Sequence, residues 1–412
     1  MPDIHKQLDL NPDAIFLESS DGKLSYGEVD GLVRARAREL GDLNGGRVVV
    51  RPRIDVESVV EFLAVARAGG TAVAVSPNLP EELAAEEVTA ANTESRPSAS
   101  ILFTSGTAGQ PKGVRLTEPN WEAAAQASID RLGHGADDRW LCPLPLHHVG
   151  GLSIIYRTMS AGGSVVLAPE PADLTGWMPR VSFASVVPTQ LHRVLRARTD
   201  AFSLRPVVLV GGGPVEADLL DTAETAGMVA VPTYGMTETT SQLATARLGD
   251  SDRKLFPVAG AEVRIGPEGR IEARGTTVSP GYIGEPERRP GDWFPTADRG
   301  RVEVDGSLVV LGRLDRMILS GGENIDPARV EAVITANPEV SEVAIVALPD
   351  VEWGEIVAAA YTGSANAEDL RADLTEHLPP YAIPKRWLQL DALPRTELGK
   401  IDTQRLVKMF LS

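Results

Sequence analysis

The chain has 412 residues, 43% of them hydrophobic and 24% charged, with a formal net charge of −17. That length predicts about two to four domains, and the acidity excludes nucleic acid and anionic membrane surfaces as partners, since both need a basic footprint. A single cysteine, Cys142, excludes an internal disulfide and a cysteine-based zinc site, while the lack of any apolar run near ~18 residues predicts a soluble, cytoplasmic protein without membrane insertion.

Ser25-Tyr26-Gly27-Glu28 reads as a capping box, followed by Val29, Leu32, Val33 and Leu40 at helical spacing. Arg47 to Arg51 reads as a short buried strand, Asp55 opens a second helix closed by Gly69-Gly70, and Thr71 to Val75 reads as another strand. Strand, helix, strand at this spacing predicts parallel α/β architecture. Pro77 to Arg96 is a polar, acidic connector.

The stretch Ile101 to Gly113 (I-L-F-T-S-G-T-A-G-Q-P-K-G) stops an apolar run at hydroxyl residues and follows it with three glycines, a proline and a lysine. Successive N–H groups in such a turn can converge on one anion, with hydroxyls and a lysine adding donors and charge. The stretch predicts a phosphate cradle, though not that of P-loop NTPases, because Val114 stands where a Ser or Thr would hold Mg²⁺.

Pro119 to Leu132 is predicted helical, and Arg139 to Pro143, Ser164 to Ala168, Ala184 to Val187 and Pro206 to Val210 read as apolar strands. Open α/β sheets bind ligands at the carboxyl ends of their strands. Several such ends carry unusual residues: Thr104-Ser105-Gly106, Pro145-Leu146-His147-His148, Pro188-Thr189-Gln190, Gly211-Gly212-Gly213 and Tyr234-Gly235-Met236-Thr237-Glu238. From about Ala259 to Arg313 the period becomes two, and Asp305-Gly306 marks a hairpin, predicting an antiparallel β-rich unit, a small barrel. Beyond Arg313 comes a separate α+β module, with helices from Asp326-Pro327 and along Leu370/Leu374/Leu378, and strands at Val343 to Ala347 and Trp387 to Leu390. The domain boundary is placed at Arg313 to Asp315, giving domains 1–313 and 314–412.

Taken singly, each candidate also has a bland reading. Gly211 to Gly213 fit close approach to a flat ring or a plain strand-to-helix turn. Glu238, flanked by Thr237 and Thr239, could ligate Mg²⁺ or simply favour a helix N-terminus. Asp298 could accept two ribose hydroxyls, with Arg313 donating nearby, or be a loop aspartate. The adjacent His147 and His148 lack metal-pair spacing, though one could face a substrate carboxylate. Lys400, by local criteria, is a solvated lysine.

Together the motifs resemble those of the acyl-adenylate-forming superfamily, over nearly the whole chain. The resemblance rests on T-S-G-T-A-G-Q-P-K-G (Thr104 to Gly113), Y-G-M-T-E-T (Tyr234 to Thr239), the run Gly312 to Glu331, and P-R-T-E-L-G-K (Pro394 to Lys400), in the family's order. It implies an N-terminal domain of doubly wound α/β subdomains plus the β-rich unit, and a smaller mobile C-terminal domain. It implies adenylation of a carboxylic acid by ATP and transfer of the acyl group to a thiol, with ATP, Mg²⁺ and CoA as the small-molecule partners.

Carried over, Thr104, Ser105, Gly106, Thr107, Gly109 and Lys112 hold the β/γ phosphates, and Glu238 ligates Mg²⁺. Gly211, Gly212, Gly213, Tyr234, Gly235, Met236 and Thr237 flank the nucleotide, and Asp298 and Arg313 bind ribose. Lys400 is the catalytic lysine at the acyl carboxylate and α-phosphate, Asp315 is the hinge, and Gly321 and Gly322 line the CoA path. The chain departs from the family pattern at Ala108 (usually a hydroxyl), Ala297 (usually glycine) and His147 (often aromatic).

A narrower resemblance, to o-succinylbenzoate–CoA ligases of menaquinone biosynthesis, rests on Pro145 to Arg157, Val187 to Leu195 and Gly235 to Gln242. An aromatic dicarboxylate needs a flat slot and a donor-rich end, for which His148, Gly151, Arg157, Gln190 and Arg193 are the candidates. Another acid (malonate, benzoate, a short fatty acid), a carrier-protein acceptor, and a catalytically inactive nucleotide-binding regulator are the alternatives. A homo-oligomer is compatible with all of them.

Overall fold

A computed structural model describes residues 10–77, 89, 98–105, 111–168, 173–197, 202–314, 317–395 and 401–412. Most of the connector between Pro77 and Arg96 lies outside them, as do Gly106, Thr107, Gly109, Asp315 and Lys400.

Two sheets organise the first 257 residues, together with a strand returned from Gly281–Tyr282. The larger has nine strands, in the spatial order Phe256–Pro257, Ser241–Thr245, Val229–Met236, Val207–Val210, Phe183–Val186, Arg139–Cys142, Ser164–Leu167, Ile15–Ser19, Gly22–Ser25. Its central strands are parallel, so their carboxyl ends open on one edge. The smaller sheet runs Gly281–Tyr282, Pro111–Leu116, Ser100–Ser105, Thr71–Ala74, Arg47–Val50, with the last three parallel. The parallel, doubly wound architecture expected from the strand–helix alternation is therefore present. One detail differs: Arg47–Val50 is the outermost strand, with Val49 41% exposed, because no further strand among the described residues covers that edge.

The helices form where their caps and apolar stripes dictate. Ser25 and Glu28 close a reciprocal capping box on Tyr26–Leu40, and the Asp55 side chain accepts from the Ser58 N–H to start Val56–Arg67. Two fully buried tryptophans pin helix to sheet through their indole N–H groups. Trp121, on the helix Glu118–Leu132, donates to Ser100 Oγ (3.1 Å) beside the glycine-rich stretch. Trp140 donates to Ser185 Oγ (3.0 Å). The helix Val149–Ala161 is buried from Gly151 to Met159, apolar nearly all round, as a helix sunk between layers must be. Cys142 is fully buried and its thiol is pushed up to about 12 by that burial, so it is a small core residue rather than a nucleophile.

The antiparallel unit takes the form of a four-stranded sheet, Ala261–Ile265, Arg270–Gly275, Phe294–Val302 and Leu308–Arg313. Asp305-Gly306 turns its last hairpin with Gly306 at φ +83°. Between its second and third strands the chain leaves this sheet, and Gly281–Tyr282 pairs with Val114 and Arg115 of the five-stranded sheet instead. The C-terminal strands form a fourth sheet from Ile318 to Gln389, with its own apolar cores around Ile345/Leu370/Leu374 and Val346/Leu406/Phe410.

Candidate active site at the junction of three sheets

Strands Ser100–Ser105 and Pro111–Leu116 are antiparallel neighbours that bring Thr104 opposite Lys112 at the mouth of the glycine-rich stretch. Lys112 Nζ lies 3.2 Å from Glu285 Oε1 and 4.8 Å from the centre of the Tyr282 ring. The hydroxyl of the same tyrosine donates to Glu238 Oε1 at 2.8 Å. Burial, reinforced by the Glu238 charge, holds the Tyr282 hydroxyl far above its ordinary pKa, so it stays a donor. One tyrosine thus joins the lysine of the predicted phosphate loop to the predicted metal ligand. Nothing in the sequence reading selected it. The signal was present in Gly281-Tyr282-Ile283-Gly284, an aromatic between two glycines.

Glu238 sits in the short 3₁₀ turn Thr237–Thr239 that ends the strand Val229–Met236. Met236 N–H donates to Thr239 Oγ1 (3.1 Å), and Ser279 N–H donates to the Glu238 carbonyl (2.8 Å). The chain then passes through Thr240 (φ 50°, ψ 45°) and Ser241 (φ 92°), two side-chained residues in a left-handed conformation. Gly235 is required here for a different reason: a Cβ would lie 1.6 Å from the Ser241 carbonyl oxygen. The second expected glycine site behaves alike to a lesser degree, since a Cβ on Gly211 would meet Thr233 Cγ2 at 2.7 Å. Gly212 adopts φ +78°, and a Cβ on Gly213 would find only Pro188, at 3.9 Å.

The predicted ribose residues also converge. Asp298 and Arg313 are direct cross-strand partners, with Arg313 Nη1 3.9 Å from Asp298 Oδ1. The Tyr234 hydroxyl donates to Asp298 Oδ2 at 2.6 Å, and the Asp298 N–H donates to Thr296 Oγ1 at 3.1 Å. Burial first, and the Asp298 charge second, raise the Tyr234 hydroxyl well above its usual range. A carboxylate held by a phenol and a guanidinium keeps one orientation, which a vicinal diol needs in order to bridge both of its oxygens.

The acid-binding candidates divide into two groups. His148 stands immediately before the helix Val149–Ala161, and Gly151 lets that helix close on the preceding turn, since a Cβ would lie 2.4 Å from the Pro145 carbonyl oxygen. Beside it, His147 packs ring to ring on His148 (4.2 Å) and burial lowers its pKa to about 4. Arg193 is exposed on the helix Pro188–Ala197. Gln190 and Arg157 have their polar atoms engaged inside the fold. Gln190 accepts from Val187 N–H (3.1 Å) and donates to the Pro143 carbonyl (3.3 Å), tying two strand ends together. Arg157 is 3% exposed, and its guanidinium donates to the Ser153 carbonyl (3.0 Å), Gln242 Oε1 (3.1 Å) and Ser241 Oγ (3.2 Å).

In the C-terminal unit, Gly321 and Gly322 have φ of 59° and 87°. A Cβ on Gly321 would strike the Trp353 ring at 2.6 Å, whereas Gly322 opens onto empty space. Lys385 Nζ lies 3.5 Å from the centre of that indole. Sequence reading missed Trp353 because its hairpin tip is far in sequence from the paired glycines.

Among the described residues no three His, Cys, Asp or Glu side chains cluster as a metal site. A lone carboxylate, Glu238, beside a phosphate-binding stretch suits Mg²⁺, which keeps most of its waters and takes few protein carboxylates. No helix among the described residues is long and apolar enough to cross a membrane.

Residues 81–285 match the family model for AMP-binding enzymes, and residues 329–400 that for the AMP-binding enzyme C-terminal domain. The 2-succinylbenzoate–CoA ligase of Listeria monocytogenes serotype 4b (strain F2365) is 36% identical over 327 residues, 75% of this chain and 69% of the relative. The o-succinylbenzoate CoA synthetase (MenE) of Bacillus subtilis in complex with its acyl-adenylate intermediate OSB-AMP superposes with a TM-score of 0.87 at 26% identity, covering 98% of this chain and 97% of that one. The same Bacillus subtilis enzyme with ATP and magnesium ion gives 0.85 at 26% identity, covering 98% of each chain.

Proposed function

Because this chain belongs to the AMP-binding enzyme family, we propose that it is an AMP-forming ligase that joins o-succinylbenzoate to coenzyme A. In the first step a carboxylate oxygen of the acid attacks the α-phosphorus of ATP and pyrophosphate leaves. In the second the thiol sulfur of CoA attacks the acyl carbon, loses its proton, and AMP leaves. The observation that carries the reading is a pair of carboxylates with different partners, one in the turn after the strand Val229–Met236 and one bonded to Tyr234 of that strand. Glu238 is held by Tyr282 next to Lys112, and Asp298 is held by Tyr234 and Arg313.

Each residue then has a chemical task. Asp298, kept in one orientation, accepts from both ribose hydroxyls, and Arg313 lies close enough to donate to the same sugar. The strand ends at Gly211 to Gly213 leave a flat opening for the adenine ring. Thr104, Ser105, Gly106, Thr107, Gly109 and Lys112 embrace the β and γ phosphates. Glu238 would hold Mg²⁺, which screens the phosphate charge when bound. Lys400 bridges the acyl carboxylate and the α-phosphate, stabilising charge as it develops at phosphorus. His148, Gly151 and Arg193 border the acid, with the cationic or donor-rich end facing its second carboxylate.

Asp315 is the hinge about which residues 314–412 turn between the steps, since one pocket must first present a lysine and then admit a thiol. Gly321 and Gly322 leave room for the pantetheine arm. The choice of acid rests on similarity to ligases named for that substrate, and the reading carries a cytoplasmic location with it. A panel of carboxylic acids assayed by pyrophosphate release tests the proposal: o-succinylbenzoate should give the highest kcat/KM and an ATP-dependent thioester with CoA. If another acid gives the thioester and o-succinylbenzoate does not, the substrate assignment fails.

A further inference from the structure

Arg157 is a buried cation with no carboxylate among its partners in the described residues; it contacts Ser153, Ser241, Gln242 and the face of Trp140, 5.1 Å from the ring centre. Burying a charge without a counter-charge is costly, and an apolar side chain of similar length would ordinarily serve packing better. Burial alone pulls the guanidinium down to about 10. A requirement other than packing must hold it there.

That requirement lies at the other end of its hydrogen bonds. Of the three residues it grips, Ser241 is the second of the left-handed pair Thr240 and Ser241, and Gln242 immediately follows that pair. For a β-branched residue such as Thr240 this conformation is a true outlier, and strain of about 1–3 kcal/mol per residue persists only where the surroundings over-determine it. The surroundings do so from three sides. Gly235 admits the Ser241 carbonyl against the neighbouring strand, Thr240 Oγ1 donates to the Thr277 carbonyl at 2.7 Å, and Arg157 with Ser153 takes the Ser241 hydroxyl. Behind the turn lies a small cavity lined by Trp121, Ser153, Tyr156, Arg157, Ser241 and Gln242. On that side the guanidinium's hydrogen bonds to Ser241 Oγ and Gln242 Oε1 hold the turn. Glu238 lies just before it, inside the turn that the Thr240 N–H closes onto the Thr237 carbonyl (3.0 Å).

We propose that Arg157 is a positioning residue for the metal-binding carboxylate: it clamps the strained Thr240-Ser241 turn and so fixes Glu238 toward Tyr282, and it does not bind the acid. This rests on the reading of Glu238 as the Mg²⁺ ligand. The anchoring is of the kind that outer partners give to a metal ligand, whose removal typically weakens metal affinity about 10–100-fold.

The test compares Arg157→Met, Ser241→Ala, their double variant and Glu238→Gln. Two quantities are measured: the Mg²⁺ concentration for half-maximal pyrophosphate exchange, and binding of Mn²⁺ with a non-hydrolysable ATP analogue, followed by electron paramagnetic resonance. Arg157→Met should shift both about tenfold or more toward weaker metal, with the KM for the acid moved less than about twofold. Ser241→Ala should shift them in the same direction, and the double variant should add little to Arg157→Met, because both act through one turn. A KM for the acid raised about tenfold with metal dependence unchanged would make Arg157 a substrate contact and overturn the proposal. Unchanged metal dependence in both single variants would overturn it as well. If Arg157→Met does not fold, Ser241→Ala decides. If Glu238→Gln leaves the metal dependence unaltered, the ligand reading itself fails; if Glu238→Gln alone shifts it, only the positioning role fails.

Discussion

Replacing three glycines by alanine, one at a time, gives a graded prediction from geometry alone. At Gly213 the new methyl would meet only Pro188, at 3.9 Å, an ordinary contact. At Gly211 it would meet the Thr233 side chain at 2.7 Å and the Thr233 carbonyl oxygen at 3.0 Å, so the Thr233 side chain must shift to admit it. At Gly235 it would lie 1.6 Å from the Ser241 carbonyl oxygen, about 1.8 Å short of the 3.4 Å at which contacts become ordinary. Backbone cannot rotate away, so the two strands must part. The pairings Gly235↔Gln242 and Met236↔Ser241 adjoin the clash. Losing two backbone hydrogen bonds at about 0.5–1.5 kcal/mol each, with overpacking of about 1–3 kcal/mol, gives roughly 2–6 kcal/mol. Glu238 also moves, and displacement by about 1 Å can cost on the order of 100-fold in rate.

Thermal melting and pyrophosphate exchange should therefore rank Gly213→Ala as mildest, Gly211→Ala as intermediate and Gly235→Ala as severe in both. If Gly235→Ala melts within a degree or so of Gly213→Ala and retains exchange, the close approach of Ser241 is not what demands glycine there.

Tyr282→Phe removes the hydroxyl that steadies Glu238, a hydrogen bond to a charged group worth about 1.5–3 kcal/mol. Adenylation should fall about tenfold or more in pyrophosphate exchange while thioester formation from supplied acyl-adenylate stays near normal; an equal loss in both would remove Tyr282 from the first step. Lys400→Ala should likewise depress adenylation severely and spare thioester formation from acyl-adenylate, and Gly322→Trp should do the reverse by blocking the thiol. His134 gives a pH effect. It is 3% exposed, packed edge-on against Trp140 and Phe183, and burial, aided by the Arg157 charge, lowers its pKa to about 4. The unfolded chain binds this proton near its usual value of about 6.5. The stability contribution is therefore complete above that pH and declines as pH falls toward 4, by up to about 1.4 kcal/mol per pH unit. His134→Phe should flatten the melting-temperature profile between about pH 6.5 and 4.5; an unaltered slope would place the titration elsewhere.

Much of the architecture was readable because local and global signals agreed. Ser25/Glu28 and Asp326-Pro327 start helices where expected, and the apolar runs form the parallel strands. Asp298 and Arg313 were read together as ribose contacts and Tyr234 as part of another motif; the cross-strand register of Phe294–Val302 with Leu308–Arg313 sets the first two opposite each other, and the Tyr234 hydroxyl reaches Asp298. What escaped reading was whatever depends on partners distant in sequence. Arg157 was one candidate among several for the acid's donor-rich end, and a helix pattern does not reveal which hydroxyls meet a buried guanidinium. Gln190 was another such candidate, and its partners, Val187 N–H and the Pro143 carbonyl, are backbone atoms, which no residue pattern singles out. Tyr282 was passed over despite its flanking glycines because its strand is two residues long and belongs to a sheet whose other strands end at Leu116.

That two-residue strand also bears on how the chain is made. Tyr282 pairs with Val114, and Ile283 N–H donates to the Gly113 carbonyl, so the outer edge of the five-stranded sheet closes only with residues almost 170 positions later. During synthesis at roughly 5–20 residues per second, the strand Pro111–Leu116 would wait on the order of ten seconds or more beyond the ribosome with one edge open. Exposed edges of that kind invite pairing with other chains. Truncation before Gly281 should therefore yield aggregation rather than a smaller folded domain, and mutations that slow closure should show first as lost yield in the cell.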